Sequence, residues 1–237
     1  MYKKGNIMRS KKMSFAIISS VSVVILATVL YKQASAPKLY SAQDATDIIQ
    51  EVYKDLNGFS IDDTERKMIE DAGGNATYGE ITPEALAQLV DYFKFTQQDV
   101  FFDLGSGVGK VCVQVALTTP ATAIGIELSP ARYQMAQQAK EALISRKVLT
   151  SANKLQFYEQ NILAADLSKG TVFFTCSTCF SDTLMQTLTQ KIASSGKHVR
   201  VATLRQLPEN QYFELDKVFN LKMTWSDSSP VYIYKQK

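Results

Sequence analysis

The chain has 237 residues, of which 46% are hydrophobic and 21% charged, and this excludes a disordered, collagenous or disulfide-scaffold protein. Cys112, Cys176, Cys179 and the single histidine, His198, are the only soft ligands and do not mark out a zinc site; no metal is expected, and a Ser-His or Cys-His hydrolase would rest wholly on His198. The net charge is +3, yet residues 1–43 hold seven basic residues and no acid, so the body from Asp44 onward is net −4 and is not expected to bind nucleic acid strongly.

In chain order, residues 13–31 form the first feature, a 19-residue run without a charge, flanked by Lys11, Lys12 and Lys32. Such a run is long enough to cross a bilayer as a helix. One reading is a cleaved secretory signal with Ala34-Ser35-Ala36 at the cut; the other is an uncleaved anchor, favoured by the length of the run and by Pro37. A buried core helix is disfavoured, since the run has no polar face. The protein would then be membrane-associated through residues 13–31, or secreted if the segment is removed. The acid-free basic N-terminus also suits organelle import, and the compartment is left open.

After a linker at 32–41, Ser41 caps a helix carrying Ile48, Ile49, Val52, Tyr53 and Leu56 on one face, ending at Asn57-Gly58. A short helix follows near 62–72. Thr82-Pro83-Glu84 is a strong helix start: a capping threonine, a proline at the first helical position and an acid in the first turn. From about residue 99 the pattern alternates. Strands are predicted at 100–102, 122–126, 155–158, 171–175 and 198–203, with helices at about 108–118, 130–143 and 182–193. Alternation of this kind gives an α/β fold, a Rossmann-like, doubly wound and mostly parallel sheet. Segments 212–219, 221–225 and 231–234 lack intervening helices and predict an antiparallel pair on the sheet edge.

The central motif is Asp103-Leu104-Gly105-Ser106-Gly107-Val108-Gly109-Lys110, between a strand and a helix, where open α/β sheets bind ligands. A phosphate P-loop fails, because Leu104 stands at its first glycine and Val111 follows Lys110. A GxGxxG dinucleotide fingerprint fails at Lys110. What remains, DxGxGxG, resembles the S-adenosylmethionine-dependent methyltransferases of the Rossmann-like class. Asp103 at the strand end can face the cofactor's ammonium, and Glu127, closing the second strand, can accept both ribose hydroxyls.

The flanks are more specific. Tyr78-Gly79-Glu80 precedes a helix, Glu127 ends a strand, Pro130-Ala131-Arg132-Tyr133 follows, and Met223-Thr224-Trp225 and residues 230–234 lie near the end. Over about residues 60–237, and most strongly over 77–133, the chain resembles the DOT1 family, the non-SET lysine methyltransferases of histone H3. The resemblance implies that Tyr78, Gly79, Glu80 and Ile81 wrap the methionine end of S-adenosylmethionine, that the glycine turn from Asp103 to Lys110 and Glu127 complete the site, and that Asn161-Ile162 replace the family's Asp-Phe at the adenine. The chain is expected in three parts: 1–37, the basic segment with the hydrophobic anchor or signal helix; 38–97, a small helical cap with the cofactor loop; and 98–237, the methyltransferase core.

The implied reaction is protein lysine N-methylation, with histone H3 as the family's acceptor. Three features depart from the family. Lys110 stands where it has Gln or Asn, Cys176-Ser177-Thr178-Cys179-Phe180 replaces its Asn-Asn-Phe-Ala-Phe segment, and its basic flank is absent. The second departure keeps open a non-histone protein, a small molecule or a lipid as acceptor, or a non-catalytic binding module on the same fold. Glu80, Phe180 and Tyr232 are the catalytic or substrate-channel candidates, with Trp225 and Tyr234 beside them. Cys176 and Cys179 are read as small residues near the cofactor rather than as a redox pair, His198 as a packed strand histidine, and the Asn75-Ala76-Thr77 sequon as chance.

Overall fold

The computed structural model describes residues 38–237, which form one compact unit. In chain order the elements are α1 (Ala42–Val52), α2 (Asp63–Asp71), α3 (Pro83–Phe93), β1 (Val100–Leu104), α4 (Lys110–Thr118), β2 (Thr122–Glu127), α5 (Pro130–Ser145), β3 (Leu155–Glu159), β4 (Val172–Thr175), α6 (Asp182–Ala193), β5 (Arg200–Thr203), β6 (Phe213–Met223) and β7 (Ser226–Gln236). Side-chain caps set the helix starts. Ser41 Oγ accepts from Asp44 N at 3.1 Å and Thr82 Oγ1 from Ala85 N at 3.4 Å, each satisfying an orphan donor of a first turn.

The seven strands run in the order β3-β2-β1-β4-β5-β7-β6. β1 to β5 are parallel; β7 joins β5 antiparallel, and β6 pairs antiparallel with β7 on the outer edge. Alternation along the strands feeds two cores. Phe101 packs with α1, α3, α4 and α5 on one face; Phe102 and Leu104 pack with α6 on the other. The chain moves from β1 outward to β3 and then returns to β4 on the other side of β1. That reversal opens a crevice at the carboxyl ends of the central strands.

The expected fold is corrected in one respect. Among the described residues no helix is long and apolar enough to cross a membrane. The segment read as such a helix, 13–31, and the rest of 1–37 lie outside the described residues, so the transmembrane helix and the membrane association built on it have no structural support.

Two local expectations also change. His198 sits in a turn at φ 61° ahead of β5, not in a strand. The segments read as 212–219 and 221–225 are one strand, β6, irregular near Asp216, and Met223 pairs with Ser226 so that Thr224 and Trp225 form the hairpin turn.

Candidate functional site

At the switch point, β1 ends in Asp103-Leu104 and the chain turns through Gly105, Gly107 and Gly109, at φ +86°, +55° and +88°. These values favour glycine, and at Gly107 space does as well: a Cβ there would stand 2.6 Å from the Tyr78 ring. Backbone bonds pin the turn to β2, with Gly105 N and Ser106 N both donating to Ile126 O, at 2.9 and 3.0 Å.

Glu127, at the end of β2, buttresses the same turn. Its Oε2 accepts from Gly107 N at 2.7 Å, and its Oε1 accepts from Leu128 N at 3.0 Å and Ser129 N at 2.8 Å. Burial pushes its carboxyl up, while these amides and the Arg132 guanidinium pull it back. Asp103 lies beside it, 2% exposed. Burial, with the Glu127 charge adding to it, pushes the Asp103 carboxyl up to about 8.

The loop before α3 closes the site. Tyr78 Oη donates to Glu80 Oε1 at 2.6 Å, and Lys110 Nζ donates to Glu80 Oε2 at 2.9 Å, so the Glu80 carboxylate bridges the loop to the start of α4. The loop is seated on the C-terminal hairpin: Glu80 N donates to Thr224 Oγ1 at 3.0 Å, Thr224 N to Glu80 O at 2.8 Å, and Ile81 pairs with Met223. Gly79 packs under Trp225 so closely that a Cβ would stand 2.3 Å from the ring.

Behind the loop, Arg132 of α5 is 5% exposed. Its Nε donates to Gly58 O at 3.0 Å, its Nη2 to Ala76 O at 2.8 Å, and its guanidinium lies 4.8 Å from the Tyr78 ring centre. Glu65 of α2 adds a second tie, accepting from Ser129 Oγ at 2.6 Å and Ala131 N at 3.0 Å.

These elements enclose a cavity of about 720 Å³. Of the residues expected at a cofactor, Tyr78, Gly79, Glu80, Ile81, Asp103 and Gly105 line it, as do Ser106, Gly107, Lys110, Glu127, Asn161 and Ile162. Leu104 and Val108 are fully buried in the two cores instead, and Gly109 packs under Phe157, all three outside the lining. Of the channel candidates, Phe180 and Trp225 line the cavity with Glu80. Tyr232 and Tyr234 do not: both pack against the second core, where β7 pairs with β5. Arg132 and Glu65 were not singled out in the sequence as holding the loop; their partners lie 56 to 74 and 64 to 66 residues away, with no local signal to expose them. Among the described residues no group of His, Cys, Asp or Glu is placed to hold a metal ion.

The family described as "Histone methylation protein DOT1" matches residues 61–226. The chain belongs to the DOT1 family. Over 146 residues it is 31% identical to a protein of Caenorhabditis elegans named "Histone-lysine N-methyltransferase, H3 lysine-79 specific", and over 138 residues 30% identical to the Drosophila melanogaster protein of the same name. Those matches cover 57% and 53% of this chain, but only 15% and 7% of the two relatives. The crystal structure of TrmN from Thermus thermophilus, 13% identical over 64% of this chain and 48% of that one, superposes with a TM-score of 0.50 and shows the same fold.

The DOT1 family uses S-adenosylmethionine, and the cavity of this member fits that group. An ammonium placed against the Asp103 carboxyl would favour its charged form, which burial alone disfavours. The bare backbone of Gly105 and Gly107 admits close approach, and Glu127 Oε2, with one amide bound, keeps a lone pair for a hydroxyl, while Oε1 is filled by two amides.

Proposed function

We propose that this chain is an S-adenosylmethionine-dependent protein lysine N-methyltransferase, with histone H3 as its acceptor. The observation that carries the reading is the pair Asp103 and Glu127, buried side by side on the carboxyl ends of adjacent strands and opening on a cavity closed by the Tyr78–Glu80 loop. The names of the relatives support a histone lysine as acceptor.

S-adenosylmethionine supplies an activated methyl group on a sulfonium. The residues of the chain hold and orient. Asp103 would take the ammonium, Glu127 Oε2 a ribose hydroxyl and Asn161 the adenine edge, with Ile162 against the ring. Glu80, bound by Tyr78 and Lys110, is committed to holding the loop shut, which makes it a positioning residue and not the base. Phe180 and Trp225 give the cavity an apolar wall that excludes water and lowers the pKa of an entering lysine ammonium, favouring the free amine. Alignment and desolvation then carry most of the rate.

A second reading, a small-molecule acceptor, is supported by the wall at Cys176 to Phe180, where thiols and hydroxyls replace the amides of the family. The test is transfer of a tritiated methyl group by the full chain to histone H3, to nucleosomes and to a small-molecule extract, with Asp103→Asn and Gly107→Arg as controls. Label on H3 that both variants abolish is expected. Label only in the extract would overturn the lysine reading, and unchanged cofactor affinity in both variants would overturn the site.

A further inference from the structure

Between β4 and α6 the chain makes a single 3₁₀ turn, Ser177–Cys179, capped by Cys176. A 3₁₀ turn has three residues per turn and rises about 2 Å per residue, so residues three apart stand one above the other with Cα atoms about 6 Å apart. A disulfide needs Cα atoms about 4.4–6.8 Å apart. Cys176 and Cys179 occupy such a pair of positions, and both line the cavity.

The turn is also braced. Arg205 donates to Phe180 O and, at 2.5 Å, to Asp182 Oδ1; Arg205 N donates to Ser177 Oγ at 3.0 Å, and Ser177 Oγ lies 2.7 Å from Thr203 Oγ1. The two thiols are therefore held on a fixed frame. Cys112, the remaining thiol, is fully buried in the core.

We propose that Cys176 and Cys179 form an oxidisable dithiol in the wall of the methyl-transfer cavity, closed to a disulfide by hydrogen peroxide. The exposed Cys179 attacks the peroxide as thiolate, forming an S–O bond and releasing water on protonation, which leaves a sulfenic acid. Cys176 then forms the S–S bond and expels the second oxygen as water. The two sulfurs lose two electrons and the O–O bond takes them. The division of labour follows from environment: burial, with Asp103 adding to it, pushes the Cys176 thiol up to about 12, leaving it the resolving partner. Closure fixes the turn beside Phe180, whose ring reaches to 3.6 Å of where a Gly105 Cβ would stand, and so narrows the cavity over the glycine turn.

The test treats the reduced full chain with hydrogen peroxide and counts thiols with a maleimide under denaturing conditions, by intact mass. The expected result is loss of two of the three reactive thiols with a mass deficit of two hydrogens, one peptide bridged from Cys176 to Cys179, and full recovery with dithiothreitol. Cys179→Ser shows no such deficit. Three remaining thiols, sulfinic acid alone, or chain-to-chain crosslinks would overturn the proposal. A second readout rests on the proposed function: the oxidised chain binds S-adenosylmethionine roughly tenfold more weakly than the reduced chain, equivalent to about 1.4 kcal/mol. Equal affinity would overturn the placement of the bridge at the site. A reduced chain that binds no S-adenosylmethionine would overturn the function instead, with the thiol count still deciding the disulfide.

Discussion

Arg132 offers the sharpest test of how the cap is held. Truncation in Arg132→Ala removes two charge-assisted hydrogen bonds, to Gly58 O and Ala76 O, and the stacking on Tyr78. Hydrogen bonds to a charged group contribute about 1.5–3 kcal/mol each, and the two carbonyls would be left near a void. The expected loss is about 3–5 kcal/mol, or roughly a 10 °C drop in Tm for a domain of this size. Arg132→Lys keeps the charge but not the fork, and falls between. Circular dichroism melts of the full chain read the loss, and limited proteolysis near residues 58 and 76 reads its location. A Tm within about 2 °C of wild type, with no new cleavage, would refute the assignment of Arg132 as the anchor of the cap.

Two further predictions use the same site. Gly79→Ala puts a methyl into the Trp225 ring, so it destabilises; in Trp225→Ala the same change is nearly neutral, and additive melts in the double variant would sink the packing argument. The pH dependence of stability follows from Asp103, whose folded value of about 8 lies above its ordinary 3.8. Over that window the folded chain holds a proton that the unfolded chain has released, so this group makes stability fall as pH rises toward 8, with the full cost present above it. Asp103→Asn should flatten that slope in urea melts at pH 6 and pH 9 and be the more stable chain at pH 9; a parallel slope would contradict the burial of the charge.

Much of this was legible in the sequence because its causes are local. The glycine turn, the acids ending β1 and β2, and the Thr82-Pro83-Glu84 start each declare themselves within a few residues. What stayed hidden depends on distant partners. Tyr232 and Trp225 are both aromatics of the C-terminal β region, yet only Trp225 reaches the cavity, because it sits in the turn where Met223 pairs with Ser226. That turn, Thr224-Trp225, lacks the Gly or Asn that marks a tight hairpin, and neither residue has positive φ. Likewise Asp103 was readable as a ligand, but its neighbour Cys176 became meaningful only once the 3₁₀ turn had spaced it against Cys179.

The seating of the Tyr78–Glu80 loop on the hairpin has a consequence for synthesis. The loop and its Thr224 anchor lie 144 residues apart, and β6 and β7 follow every parallel strand. At about 5–20 residues per second the ribosome needs on the order of ten seconds to deliver that anchor. For most of this interval the nascent chain has its glycine turn but no seated loop, and over its last residues β5 is made while the flank that β7 will cover still lies open. Cofactor capture therefore comes after the parallel strands are made, and the interval before it is when a chaperone has the most to shield.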